Sequence, residues 1–471
     1  MADNTTEKSA AEQLKEQLFY TPGEAAKSLT AEELERADTY CEGYKTFLDA
    51  AKTEREAVTQ AIRMAEEKGF VPFDRTACLQ PGDKVYYNNR GKSLLLAVIG
   101  TRPITDGVSI AAAHIDSPRL DLKPNPLYED SGLAYFDTHY YGGIKKYQWT
   151  AMPLALHGVM VRKDGSTVQV QIGEEPGDPV FCVTDLLPHL GTEQMKRPAT
   201  EVVKGEDLNI LIGSRPFCAD EGSELVKLNI LKLLHEKYGI VEADFLSAEL
   251  EAVPAFRARD LGFDRSMIGA YGHDDRVCAY PAVTSLLALE NPAYTAVTVL
   301  ADKEEIGSEG NTGMQSAALA YFIADLAAAF GAEGRHVLSR SICLSADVNA
   351  ALDPIYPEVM ERRNCAELNR GVVITKYTGS RGKSDTNDAS AELMGFFRRI
   401  LDERQVAWQI GELGKVDAGG GGTVAKYIAD LDVDTVDLGV PVLSMHAPFE
   451  VVSKLDVYMA HRAFYAMLSR E

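Results

Sequence analysis

The chain has no CxxC pair, no run of about 18 apolar residues, and a deficit of basic side chains. Lys and Arg number 48 against 70 Asp and Glu, a formal net charge of -22. A surface that acidic repels phosphate, so nucleic acid is excluded as a partner. The 7 cysteines (Cys41, Cys78, Cys182, Cys218, Cys278, Cys343, Cys365) are odd in number and scattered. That spacing excludes a zinc ribbon or a disulfide framework and fits a reducing cytoplasm. Without a long apolar run no helix should span a membrane, and MADNTTEKSAAEQLKEQ carries no apolar signal core, so a cytoplasmic protein is expected. There is no internal repeat, and no low-complexity segment beyond Gly419–Gly422.

What is present is a globular composition: 471 residues, 45% hydrophobic and 25% charged, enough for two or more domains. Capping boxes at Thr30…Glu33 and Thr53…Glu56 predict helices over about 30–51 and 54–68. KVYYNNRGKSLLLAVIG and VSIAAAHIDSP read as a hairpin-like pair of strands, the second central. From 123 to 258 the texture turns to short strands and turn-rich segments, with a hairpin about Lys163-Asp164-Gly165 and one helix over about 222–238. We read this block as an inserted β-rich domain, interrupting an α/β domain made of 1–122 and 259–471. After it, strands alternate with helices over about 275–289, 314–330, 388–404 and 454–468. Such alternation predicts a mostly parallel sheet with helices on both faces.

Within TVLADKEEIGSEG an apolar strand runs into Glu304 and Glu305. Adjacent carboxylates at the end of a buried strand are costly unless a cation or a proton-transfer task justifies them. Taken alone, the pair is more often a solvated acidic turn. Other His and acidic residues also stand at strand ends: His114 with Asp116, Asp274 with Asp275, Asp347, and His446. Five junctions of one sheet can converge at its carboxyl edge, where open α/β sheets bind ligands. Two His among several carboxylates form a nitrogen and oxygen donor set suited to Zn²⁺, Mn²⁺ or Co²⁺. The surplus of carboxylates points to two metals sharing a bridging one.

HIDS from His114, DDR from Asp274, DKEEIG from Asp302, SAD from Ser345 and SMH from Ser444 occur in the order and spacing of a known family. The chain resembles the M18 metallo-aminopeptidases, the aspartyl aminopeptidase family, from about residue 40 to its end. HIDSPRLDLKPNPLYED and HYYGGIKKYQW place it nearest the bacterial branch. M42 aminopeptidases share the catalytic motifs but carry a shorter insertion.

The resemblance implies two divalent ions per subunit, zinc first, with Co²⁺ or Mn²⁺ as substitutes. Asp274 would bridge them, His114 and Asp347 would complete one site, and Glu305 and His446 the other. Many relatives have Asp-Asn where this chain has Asp274-Asp275, so Asp275 stays a second candidate for the bridge. Glu304 would be the general base taking a proton from the attacking water, and Asp116 would fix the tautomer of His114. The insert would make a dimer and lend His157 to the neighbouring active site; the alternative is a His on an exposed strand face. Arg381 and Lys383 would lie near substrate, unless they are salt-bridged surface cations. Gly420 and Gly421 would cradle substrate backbone, or merely permit close packing. His139, His189, His235, His273, His336 and His461 read as structural. The implied assembly is a tetrahedral homododecamer of dimers enclosing its active sites, with short peptides as substrates and an acidic first residue as the namesake preference. The competing readings are another di-metal hydrolase, such as a deacylase or carboxypeptidase, and a non-catalytic binding protein.

Overall fold

A computed structural model describes residues 8–20, 23–218 and 221–471. Its frame is a nine-stranded sheet, in the order Val71–Pro72, Lys84–Asn89, Ser93–Val98, Ala296–Ala301, Ser109–His114, Ile342–Ser345, Asp434–Gly439, Val372–Thr375 and Trp408–Ile410. The four strands from Ala296–Ala301 to Asp434–Gly439 run parallel. Their apolar runs are nearly continuous because both faces are covered. In Ser109–His114, Ala111 and Ala113 pack into a core with the helices Ala31–Ala50, His273–Leu287 and Lys454–Leu468. Ile110 and Ala112 pack into the opposite core with the helix Ala318–Ala329.

The helices expected from capping boxes are Ala31–Ala50 and Glu54–Glu66, and both boxes close. The strand pair forms differently. Lys84–Asn89 folds back on Ser93–Val98, so the hairpin lies within the first stretch. Ser109–His114 instead lies between Ala296–Ala301 and Ile342–Ser345. An apolar run shows that a strand is central but not which remote strand it pairs with.

Between Ser109–His114 and Ala296–Ala301 the chain builds a seven-stranded sheet and two strands of a third, which is completed by strands from the C-terminal part. The larger has seven strands: Thr167–Ile172, Leu154–Val161, Ala248–Pro254, Arg119–Asp130, Leu133–Tyr141, Ile210–Gly213 and Cys182–Val183. It has its own core about Trp149, Phe136 and Phe245. The smaller has five: Arg259–Leu261, Met267–Ala270, Glu450–Ser453, Pro441–Leu443 and Asn349–Ala350. Asp274 follows its strand Met267–Ala270, and His446 follows Pro441–Leu443. The junctions read as belonging to one sheet therefore come from two, because VPVLSM is not in the main sheet and the strand Asp434–Gly439 just before it is.

Candidate metal centre

The carboxyl ends of the central strands face the five-stranded sheet, and the charged residues gather there. His114 ends its strand fully buried. Its Nδ1 lies 3.0 Å from the Asp116 carbonyl oxygen, an acceptor, so this nitrogen carries the proton. Its Nε2 faces inward, 3.2 Å from Asp274 Oδ1 and 3.8 Å from both Asp347 Oδ1 and Glu304 Oε2. His446 repeats the arrangement from the other side. Its Nδ1 donates to the Gly143 carbonyl at 2.7 Å, and its Nε2 faces Asp274 Oδ2 at 3.2 Å and Glu305 Oε1 at 3.6 Å. Asp274 thus stands between the two rings, one oxygen toward each. Asp275 lies beyond it, grouped with His114 and Asp347.

Glu304 and Glu305 open a single 3-10 turn between Lys303 (φ 65°) and Gly307 (φ 100°). The backbone N–H groups of both donate to Asp116, at 3.1 and 3.2 Å. That pins the turn and sends the two side chains different ways. Glu305 is almost fully enclosed, while Glu304 keeps 17% of its side chain exposed. Across the site, Glu450 accepts from the N–H groups of Asp274 and His446, at 3.1 and 2.7 Å, fixing the two loops of the small sheet to each other.

Among the described residues, three overlapping sets of donor atoms each lie within 4.8 Å: His114 with Asp275 and Asp347, His114 with Glu304 and Glu305, and Asp274 with Glu305 and His446. Buried His114 Nε2, Asp274 Oδ1 and Glu305 Oε1 meet no hydrogen-bond partner. Inward-facing imidazole nitrogens and unpaired carboxylate oxygens are what divalent ions bind, so the residues present fit a metal. The electrostatics agree. Burial, with the charge of Asp347 added, pushes the Glu304 carboxyl up to about 8. Burial and Asp274 push Glu305 well above the carboxylate range. Burial opposes the charged form of His446, yet Asp274 and Glu305 hold its pKa up at about 10. The cluster holds protons for want of other positive charge.

The cluster lines a cavity of about 390 Å³, with Gly420, Gly421, Met445 and Asp437 also on its wall. An adjoining cavity of about 240 Å³ shares Thr378, Leu413 and Gly420, and Arg381 and Lys383 line it. The Lys383 ammonium sits 3.9 Å from the centre of the Tyr377 ring and 2.8 Å from Asp388 Oδ2. A larger cavity, about 890 Å³ beside Phe73 and Tyr321, includes none of these residues.

The chain matches known proteins. The model of the family described as "Aminopeptidase I zinc metalloprotease (M18)" matches residues 47–467. The chain belongs to the M18 family. A probable M18 family aminopeptidase 1 of Clostridium acetobutylicum is 52% identical over 434 residues, 90% of this chain and 93% of that protein. The crystal structure of an M18 aminopeptidase from Thermotoga maritima superposes with a TM-score of 0.92 at 43% identity, over 96% of this chain and all of that one. The fold alone extends further, to the S. cerevisiae mApe1 solved as a dodecamer, with a TM-score of 0.74 at 19% identity over 92% of this chain and 96% of that one. The protein is a metal-dependent aminopeptidase of a zinc metalloprotease family.

His157 is not on an exposed strand face. Its ring is fully buried, with Nδ1 2.8 Å from Glu56 Oε1 and Nε2 3.0 Å from Glu174 Oε1. Both nitrogens face carboxylates of the same chain. Sequence reading also missed Tyr141, Gly143 and Glu450. Tyr141 and Gly143 lie within HYYGGIKKYQW but act through a hydroxyl and a backbone carbonyl, which residue type alone does not mark as part of a site, and Glu450 sits alone at the start of an apolar strand.

Proposed function

We propose that this aminopeptidase holds two divalent ions, with Asp274 bridging, His114 and Asp347 on one and Glu305 and His446 on the other. The observation that carries this is Asp274 itself, whose two oxygens each lie 3.2 Å from a different imidazole nitrogen. Ions bound there would polarise the scissile carbonyl and acidify the attacking water. Glu304, more open than Glu305 and directed at the same cavity, takes the proton from that water and returns it to the leaving amine. Its raised pKa favours that role, since added positive charge draws the value down through the range where a base works best. Asp116 orients His114 and the Glu304–Glu305 turn. Gly420 and Gly421 border the bound peptide, with Arg381 and Lys383 in the adjoining cavity.

Short peptides are the substrate class that suits a cavity of about 390 Å³. Zinc is the favoured ion, given the family. We further read the protein as a cytoplasmic homo-oligomer of dimers built through the inserted domain 123–258, with a tetrahedral dodecamer as the full assembly. The seven free cysteines and the absence of a membrane-spanning helix among the described residues support the compartment. The decisive experiment compares a free with an N-acetylated amino-acid anilide after chelation and ion add-back. Ion-dependent release from the free substrate alone is expected, and equal release from the acetylated one would make the enzyme a deacylase.

A further inference from the structure

Tyr141, Gly142 and Gly143 leave the seven-stranded sheet at the end of Leu133–Tyr141 and cross to the metal centre. Each touches a different part of it. The Tyr141 hydroxyl donates to Asp116 Oδ2 at 2.8 Å. Gly142 is left-handed (φ 76°), and a side chain there would begin 3.2 Å from Glu305 Oε2, so only glycine lets the chain pass. The Gly143 carbonyl accepts a hydrogen bond from His446 Nδ1 at 2.7 Å.

The base of the crossing is braced. The Arg119 guanidinium lies 3.8 Å from the centre of the Tyr141 ring. Arg119 is itself held by Asp121 at 2.8 Å, Glu251 at 3.1 Å and, from the helix Glu54–Glu66 packed on the nine-stranded sheet, Glu54 at 3.5 Å. A carboxylate network therefore fixes the ring that fixes Asp116. Asp116 in turn holds His114 and both N–H groups of the Glu304–Glu305 turn.

We propose that Tyr141–Gly143 is a positioning strap by which the inserted sheet aims the metal centre of its own subunit, through Asp116 on one side and His446 on the other. The insert is then part of the metal site and not only a surface for assembly. The proposal rests on the reading that His114, Asp274, Glu305, Asp347 and His446 hold the ions. Groups that orient metal-bound histidines typically affect metal affinity or activity by roughly 10- to 100-fold when removed. Tyr141→Phe keeps the ring beneath Arg119 and deletes only the donor to Asp116. Gly143→Ala places a methyl in van der Waals contact with the His446 ring, 3.4 Å from Nδ1, where it limits the ring's approach to the Gly143 carbonyl. Tyr140→Phe, the same chemical change one residue earlier on a partly exposed side chain, is the control.

The test uses the full-length protein. Zinc affinity is measured by chelator competition, kcat and KM on an aminoacyl anilide at saturating zinc, and melting of the zinc-free protein by scanning fluorimetry. Tyr141→Phe is expected to bind zinc about 10- to 100-fold more weakly and to lose kcat with KM little changed. Tyr140→Phe should match wild type, and so should zinc-free melting of all three variants. If Tyr141→Phe does not fold, Gly143→Ala decides alone by the same readouts. Wild-type zinc affinity and kcat in the folded strap variants would overturn the strap. His446→Ala separates the two readings. If it sheds one ion while the strap variants bind normally, only the strap fails; if it keeps every ion, the ligand assignment fails and takes the strap with it.

Discussion

Replacing Glu304 by Gln tests which carboxylate of the pair holds the proton. The substitution keeps the shape and removes the charge. Glu304 Oε2 stands 3.8 Å from His114 Nε2, while Glu305 Oε1 stands 3.6 Å from His446 Nε2, so distance alone leaves the pair nearly symmetric. Exposure breaks the symmetry, with Glu304 the more open of the two. A general base contributes about 10²- to 10⁴-fold, or roughly 3–5 kcal/mol of barrier, so kcat should fall by that factor. Ion stoichiometry should stay at the wild-type value, because no ligand is lost. A second readout follows from the pKa of about 8. At pH 7 a carboxyl with that value is about nine-tenths protonated before ions enter, and it must lose the proton as they bind. Titration calorimetry in buffers of different ionisation enthalpy counts the protons released. Glu304→Gln should release close to one proton fewer per subunit than wild type. Loss of an ion in Glu304→Gln, with kcat otherwise preserved per bound ion, would refute the division of roles.

His446→Ala should lower the metal content by one ion per subunit, measured by mass spectrometry after gel filtration, because only the Asp274–Glu305 half loses a donor. A different variant addresses stability far from the site. Burial, helped by Arg462, holds His461 down at about 4 beside Thr284, against 6.5 when exposed. Unfolding then takes up a proton between those values, so this residue's contribution is whole above pH 6.5 and falls by up to about 1.4 kcal/mol per pH unit as pH drops toward 4. His461→Gln cannot titrate. Denaturant unfolding should show the wild-type advantage over His461→Gln shrinking through that window, and parallel pH profiles would refute it.

How much of this was readable in the sequence differs by kind of interaction. Helices closed by capping boxes at Thr30 and Thr53 were legible to within a few residues, because the signal lies inside four residues. The helix Ala318–Ala329 starts later than its apolar pattern, since Gly313 bridges to Asp302 and Thr312 bonds to it, holding the preceding residues in a turn. The position of Ser109–His114 between two remote strands was not legible, since pairing across nearly 200 residues leaves no local mark. The convergence of His114, Asp274, Glu304, Glu305, Asp347 and His446 was foreseen by residue type at strand ends, though from one sheet where the structure uses two. His157 shows the limit of that signal. A His in an alternating strand looks the same whether its ring faces solvent or, as here, is enclosed beside Glu56 and Glu174.

The two loops of the smaller sheet that reach the site need something to hold them to each other, and Glu450 does it. The nine-stranded sheet supplies His114, Asp347 and the Glu304–Glu305 turn from strands packed on both faces, so those groups are rigid through the core. Asp274 and His446 sit on loops of the smaller sheet, and Glu450 ties the two loops together through one N–H from each. If Asp274 bridges the ions, a shift of either loop changes both sites at once. Gln at 450 retains one oxygen and turns an amino group toward the other N–H, leaving one buried donor unpaired. That costs about 1–3 kcal/mol of stability. The loss should appear in both ions together, unlike His446→Ala, which removes one. Chelator competition on Glu450→Gln that weakens a single ion and leaves the other at wild-type affinity would show that the loops move independently and that Asp274 does not couple them.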